Sequence, residues 1–196
     1  MRTTKQKSAV ILTLDGYPVA PQALTTADWH SGASLDGVAL LVAVANASGG
    51  PGAVLLAHGR WYRSDCSPAQ LIAAARDSQK RGAADLAACE RQVEAELGVA
   101  ALPWSLPYLH NHLVCLTRSP TGSLWLGMGR VYRATCLGPA GFSCQVRLGD
   151  GRWHVLRLVA TPMSPATFVR RCEAAGRLRK LVIDDLQSGR SAFGFR

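Results

Sequence analysis

VALLVAVANASGGPGAVLLAHGRWYRSDCSPAQLIAAA, residues 38–75, reads as strand, turn, strand and helix in one stretch. Val38–Ala47 is an apolar run, Ser48–Gly52 (SGGPG) breaks it, and Ala53–Arg63 resumes it. Ser67 then stands as an N-cap, with Pro68 at the first helical position and Gln70 three residues on. Together they form an S-x-x-Q capping box. The order recurs later in the chain. Ser123–Cys136, the turn GPAG, Phe142–Arg157 (interrupted by Gly-Asp-Gly) and a helix from Ser164-Pro165 echo it. Gly59-Arg60-Trp61 is answered by Gly151-Arg152-Trp153. The expected fold class is α+β: two ββα-like halves with antiparallel sheets packed against helices.

Between these stretches, Leu86, Cys89, Val93 and Leu97 recur at helical spacing. They predict an amphipathic helix over 84–97 that Gly98 ends. Residues 102–113 (LPWSLPYLHNHL) carry two prolines and form the crossover. The expected division is 1–101, 102–113 and 114–196, with one single domain as the alternative. Arg2, Lys5 and Lys7 precede a short apolar stretch, Ala9–Leu14. It falls short of a signal-peptide core and reads as the lead-in to a first strand.

The two halves differ in charge. Residues 1–100 balance nine Lys+Arg with nine Asp+Glu. Residues 101–196 carry thirteen Lys+Arg against four acids, which is the whole net charge of +9. Such asymmetry points to a polyanionic partner. The hydrophobic fraction of 48% excludes a disordered chain, and no run approaches the ~20 apolar residues of a membrane span. The six cysteines form no CxxC pair and read as buried thiols in a reducing, cytoplasmic setting. Cys66, ahead of a helix start, is read as structural. The Ala, Arg, Leu and Gly bias fits a gene of high GC content, as in bacteria, plasmids or phages. No residue pattern implies a cofactor.

The candidate binding residues lie on the last predicted helix. Phe168, Cys172, Ala175, Leu178 and Val182 make one apolar face if the helix runs past Gly176. Arg170, Arg171, Arg177, Arg179 and Lys180 are left for phosphate oxygens, which guanidinium forks suit. The tail adds Arg190, Phe193, Phe195 and Arg196 among glycines, a composition suited to phosphates and unstacked bases. This tail, QSGRSAFGFR, resembles the glycine-rich loop of RNA-binding CRISPR-associated proteins of the RAMP superfamily. That resemblance implies contact with RNA. The family's pattern continues into a further strand, whereas the sequence here stops at Arg196.

Three other sets of residues are secondary candidates. Arg91–Val99 is similar to the core of a Nudix box, whose glutamates hold a divalent metal. Of those glutamates only Glu96 stands at its family place, since Gln92, Ala95 and Ala83 replace the others. His110 and His112, two apart on a predicted strand, would share a face for a metal or for acid–base cleavage of RNA. Trp61, Trp125 and Trp153 alternate within apolar strands and read as core.

The expected function is that of a basic accessory subunit of a nucleoprotein assembly. It would bind RNA or single-stranded DNA through the backbone with weak sequence preference, and a protein partner would meet the N-terminal half. The alternatives are an interaction or inhibitor protein docking an acidic protein, and a metal-assisted hydrolase or nuclease using Glu96 or the His110/His112 pair.

Overall fold

The apolar stretches of residues 38–42 and 52–57 are buried on both faces, which explains why they show no alternation of apolar and polar residues. The computed structural model describes residues 11–24, 27–30, 33–46, 48–78, 83–98, 105–108, 110–119, 122–159 and 164–187. Among these, the strands are β1 (Ile11–Leu14), β2 (Tyr17–Val19), β3 (Ala27–Asp28), β4 (Val38–Ala45), β5 (Pro51–Ala57), β6 (Arg60–Ser64), β7 (Ser105–Pro107), β8 (His112–Ser119), β9 (Gly122–Gly127), β10 (Val131–Cys136), β11 (Phe142–Arg147) and β12 (Trp153–Val159). The helices are α1 (Pro68–Ser78), α2 (Ala83–Leu97) and α3 (Pro165–Gln187). The chain is an α+β protein.

The strands form two sheets. One has the order β10-β11-β12-β1-β2 and the other β3-β6-β5-β4-β9-β8-β7. Pairing is antiparallel throughout except between β3 and β6. Because β1 pairs with β12 and β4 with β9, each sheet takes strands from both sides of residues 102–113.

Leu40, Val42, Val54, Leu56 and Leu126 of the larger sheet share one buried cluster with Leu12, Phe142, Val146, Leu156 and Leu158 of the smaller. The opposite face of the larger sheet, including Leu41, Leu55 and Trp125, takes Leu71, Ile72 and Ala75 of α1. Burial of this many Leu and Val side chains, at about 1.5–3 kcal/mol each, supplies the main drive for folding. A third, smaller cluster joins Leu86 and Val93 of α2 to Ala174, Leu178 and Val182 of α3.

The helix starts lie where the sequence places them. The Gln70 amide donates to Ser67 Oγ at 3.3 Å, and the Ser67 amide donates to Gln70 Oε1 at 2.8 Å. At α3 the Thr167 amide donates to Ser164 Oγ at 3.1 Å. Three readings are corrected. Residues 53–63 are two strands, because His58 and Gly59 turn the chain with φ of 49° and 75°. Residues 123–136 are likewise split into β9 and β10. Leu97, expected on the buried stripe of α2, is exposed at the helix end.

The two Gly-Arg-Trp turns meet in space. A Cβ on Gly59 would lie 2.9 Å from the Leu148 carbonyl carbon and 3.0 Å from the Gly149 nitrogen. Nearby strand ends are tied by Asn111, which is fully buried. Its amide donates to the carbonyls of Asp36 and Val38, and its oxygen accepts from the amides of His112 and Gly129. One side chain thereby satisfies four buried or half-buried backbone groups.

Candidate nucleic-acid interface

Helix α3 runs unbroken through Gly176, with Phe168, Ala174, Ala175, Leu178 and Val182 buried. Phe168 meets Phe142 of β11 at 5.4 Å between ring centroids, which seats the helix on the inter-sheet core. The basic residues around this stripe divide into two groups. Arg171 donates from Nη1 to the carbonyls of Cys115 and Leu116, at 2.8 and 3.1 Å. Arg177 pairs through Nε with Glu96 Oε2 at 3.0 Å, and Arg179 donates through Nε to the Tyr108 carbonyl at 3.2 Å. These three bind the protein's own groups and fasten α3 to β8, α2 and the turn after β7. Arg170 and Lys180 remain exposed. Arg190, Phe193, Phe195 and Arg196 lie outside the described residues.

The secondary candidates are kept apart. Glu96 accepts from Arg177 and from Gln92 Nε2 at 2.8 Å, and the Arg177 guanidinium holds its carboxyl below the ordinary glutamate value. His110 lies exposed in a bend ahead of β8, while His112 is the first residue of that strand and is half-buried. The expected two-residue spacing along one strand therefore does not occur. Burial, aided by the Arg179 charge, lowers the His112 imidazole to about 4, so it is neutral near pH 7. Among the described residues no three His, Cys, Asp or Glu side chains gather as a metal site would need. The described cysteines are free, and burial raises the Cys144 thiol to about 12.

A different surface gathers charge and aromatic rings. In β12, His154, Leu156 and Leu158 occupy one phase and Trp153, Val155 and Arg157 the other. Leu156 and Leu158 enter the core, so Trp153 and Arg157 face outward. The register then fixes their neighbours. Arg147 lies opposite Trp153, Gln145 opposite Val155, and Ser143 and Thr13 flank Arg157. Tyr132 pairs with Gln145 and Thr135 with Ser143 across β10–β11. Trp153, read from the sequence as core, is 55% exposed, and Tyr132 is 50% exposed. Their rings lie 5.7 Å apart at 44°.

The arginines are placed by local backbone features. β10 is irregular between Tyr132 and Thr135, and Arg133 there takes a φ of 50°. Its guanidinium carbon sits 5.1 Å from the Tyr132 ring centroid. Arg147 is anchored by Nε to the Gly151 carbonyl at 3.0 Å. No Asp or Glu occupies the outward phase at these paired positions of the five strands.

The nearest acids are drawn to His154 instead. Asp15 Oδ2 meets Nδ1 at 2.7 Å and Asp150 Oδ2 meets Nε2 at 3.0 Å. Asp15 Oδ1 also accepts from the Val155 amide at 2.8 Å, and Asp150 Oδ1 from the Arg152 amide at 2.9 Å. Both imidazole nitrogens must donate to satisfy this clamp, and only the imidazolium can do so. The pKa of His154 is raised accordingly, chiefly by Asp15, and the carboxyls of Asp15 and Asp150 are held below the ordinary aspartate value.

Sequence reasoning could have found this face. Leu156 and Leu158 set the buried phase of β12, which places Trp153 outside it. Comparison of the chain with protein-family models, curated proteins and solved structures returns no match.

Proposed function

We infer that the protein binds nucleic acid, led by the phosphate backbone and with weak sequence preference, as an accessory subunit of a nucleoprotein assembly. One observation carries this reading: an outward sheet face with Arg133, Arg147 and Arg157 and no acid among its paired positions. Arg157 makes no hydrogen bond or ion pair among the described residues, and Arg147 is fixed only through its Nε. Such guanidinium groups are available to phosphate oxygens. Arg170 and Lys180 on α3 add exposed positive charge. Arg171, Arg177 and Arg179 serve this reading by holding α3 in place.

The test is fluorescence anisotropy with labelled single-stranded RNA, single-stranded DNA and duplex DNA at ~50 and ~200 mM salt. Three or four phosphate contacts predict affinity for a single strand about 20- to 50-fold weaker at the higher salt. The double variant Arg147→Ala/Arg157→Ala lowers the slope of log affinity against log salt by about 0.7 per contact on a single strand. Absence of binding to all three ligands at ~50 mM salt overturns the reading and directs attention to an acidic protein partner.

A further inference from the structure

We propose that Trp153 and Tyr132 form a base-stacking site for single-stranded nucleic acid on the outward face of the five-stranded sheet. The site rests on the nucleic-acid reading above and deepens it, because stacking discriminates single strands from duplex where phosphate contacts alone do not.

The argument starts from the cost of exposure. Two large aromatic side chains, 55% and 50% exposed and 5.7 Å apart, leave a substantial apolar area in water. Neither belongs to a buried cluster of the core. The surroundings specify the occupant. Arg133 lies over the Tyr132 ring and Arg147 lies opposite Trp153 in the register. Arg157, four residues along β12, stands about 13 Å from Trp153 at the usual strand rise. A ligand on this face therefore meets π-surfaces and guanidinium groups in alternation, which is the pattern that suits bases and phosphates.

Other occupants fit less well. A second copy seated on this face by two-fold symmetry would set its arginines against those of the first, with no carboxylate among the paired positions to offset them. Duplex is disfavoured because its bases are stacked on one another, so their faces cannot reach Trp153. Trp153 stacks on one base, Tyr132 on a neighbouring one, Arg147 meets the phosphate between them, and Arg157 meets a phosphate further along the strand. Gln145, opposite Tyr132 in the register, can donate or accept at a base edge.

The test compares the wild type with Trp153→Ala, Trp153→Phe and Tyr132→Ala, using anisotropy with single-stranded RNA, single-stranded DNA and duplex DNA. Intrinsic tryptophan fluorescence is followed in parallel, and circular dichroism checks that each variant is folded. The expected result is a loss of about five- to a hundred-fold in single-strand affinity for Trp153→Ala. Trp153→Phe retains most of the affinity, and duplex binding and the salt slope are unchanged. Single-stranded ligand quenches the wild-type fluorescence, and the quench is lost in Trp153→Phe. Should Trp153→Ala fail to fold, Tyr132→Ala and the quench carry the same test.

Unchanged single-strand affinity in the folded variants overturns the stacking site, including the case in which Trp153→Ala only dissolves a dimer. Salt-sensitive binding that survives such a result leaves the backbone-led reading standing. A wild type that binds nothing at ~50 mM salt overturns both.

Discussion

His154 shows how single residues fix the end of the five-stranded sheet. Its two carboxylate partners come from positions 139 residues before it and 4 residues before it, Asp15 and Asp150. Arg152 is the other charged group acting on this clamp, through Asp150. The pH dependence has a definite sign. The His154 contribution is complete below the ordinary histidine value of 6.5 and fades as pH rises through its raised value in the fold. The Asp15 and Asp150 contributions are complete above the ordinary value of 3.8 and fade as pH falls through their lowered values. Thermal melts should therefore show the greatest difference between wild type and His154→Gln at about pH 5. That difference should shrink toward alkaline and strongly acidic pH. A difference that does not vary with pH would show that the clamp does not titrate. At this scale the sequence exposes arginines without their partners. Arg171, Arg177 and Arg179 look available on a helical wheel, yet their acceptors lie at Cys115, Leu116, Glu96 and Tyr108, more than fifty residues away.

Elements were the most readable scale. The α1 cap at Ser67 and Gln70, the α3 cap at Ser164, and the Gly98 stop (φ 60°) after α2 are set by groups a few residues apart. Helix α3 also carries an unforced weakness. Gly176 sits inside the helix with no atom beyond its own stretch of helix backbone within 4 Å of the place its Cβ would occupy. Gly176→Ala should stabilise the protein by about 0.5–1 kcal/mol, since alanine loses less backbone entropy in a helix. A urea titration would read this as a higher midpoint at unchanged slope. Gly127 gives the contrast, because a Cβ there would collide with the Val38 carbonyl oxygen. Strands were less legible than helices where turns are tight. His58-Gly59 reverses the chain with only two residues, so residues 53–63 read as one strand.

At the scale of the whole molecule, the two sheets interleave the ends of the chain. β1 lies between β12 and β2, and β4 lies between β5 and β9. Residues 1–101 expressed alone would leave β4 without β9 and β1 without β12, exposing strand edges and the Leu40, Val42, Val54 and Leu56 side chains. We expect that fragment to show no cooperative thermal transition by circular dichroism, in contrast to the full chain. A sharp transition would instead establish an independent N-terminal domain. The chain-wide charge asymmetry acquires a location at this scale, because Arg133, Arg147 and Arg157 come from three different strands of one sheet. Among the described residues no helix is long and apolar enough to cross a membrane.

The sequence by itself determined the α+β class, the caps that start the first and last helices, the Gly98 stop of the second, the apolar strands of the core and the basic second half. Each of these is encoded by neighbours within one or two turns, or by bulk composition. Tertiary structure alone decided which arginines are consumed within the fold and which lie open, and it brought Tyr132 against Trp153. Those outcomes depend on strand order and register across separations of tens of residues, where the chain's local preferences carry no information about partners. A tryptophan in an apolar strand has the same local propensity whether its face meets the core or water. Alternation with Leu156 and Leu158 marks the outward phase of β12, and the pairing of β12 with β11 and β1 decided which residues stand beside Trp153 there.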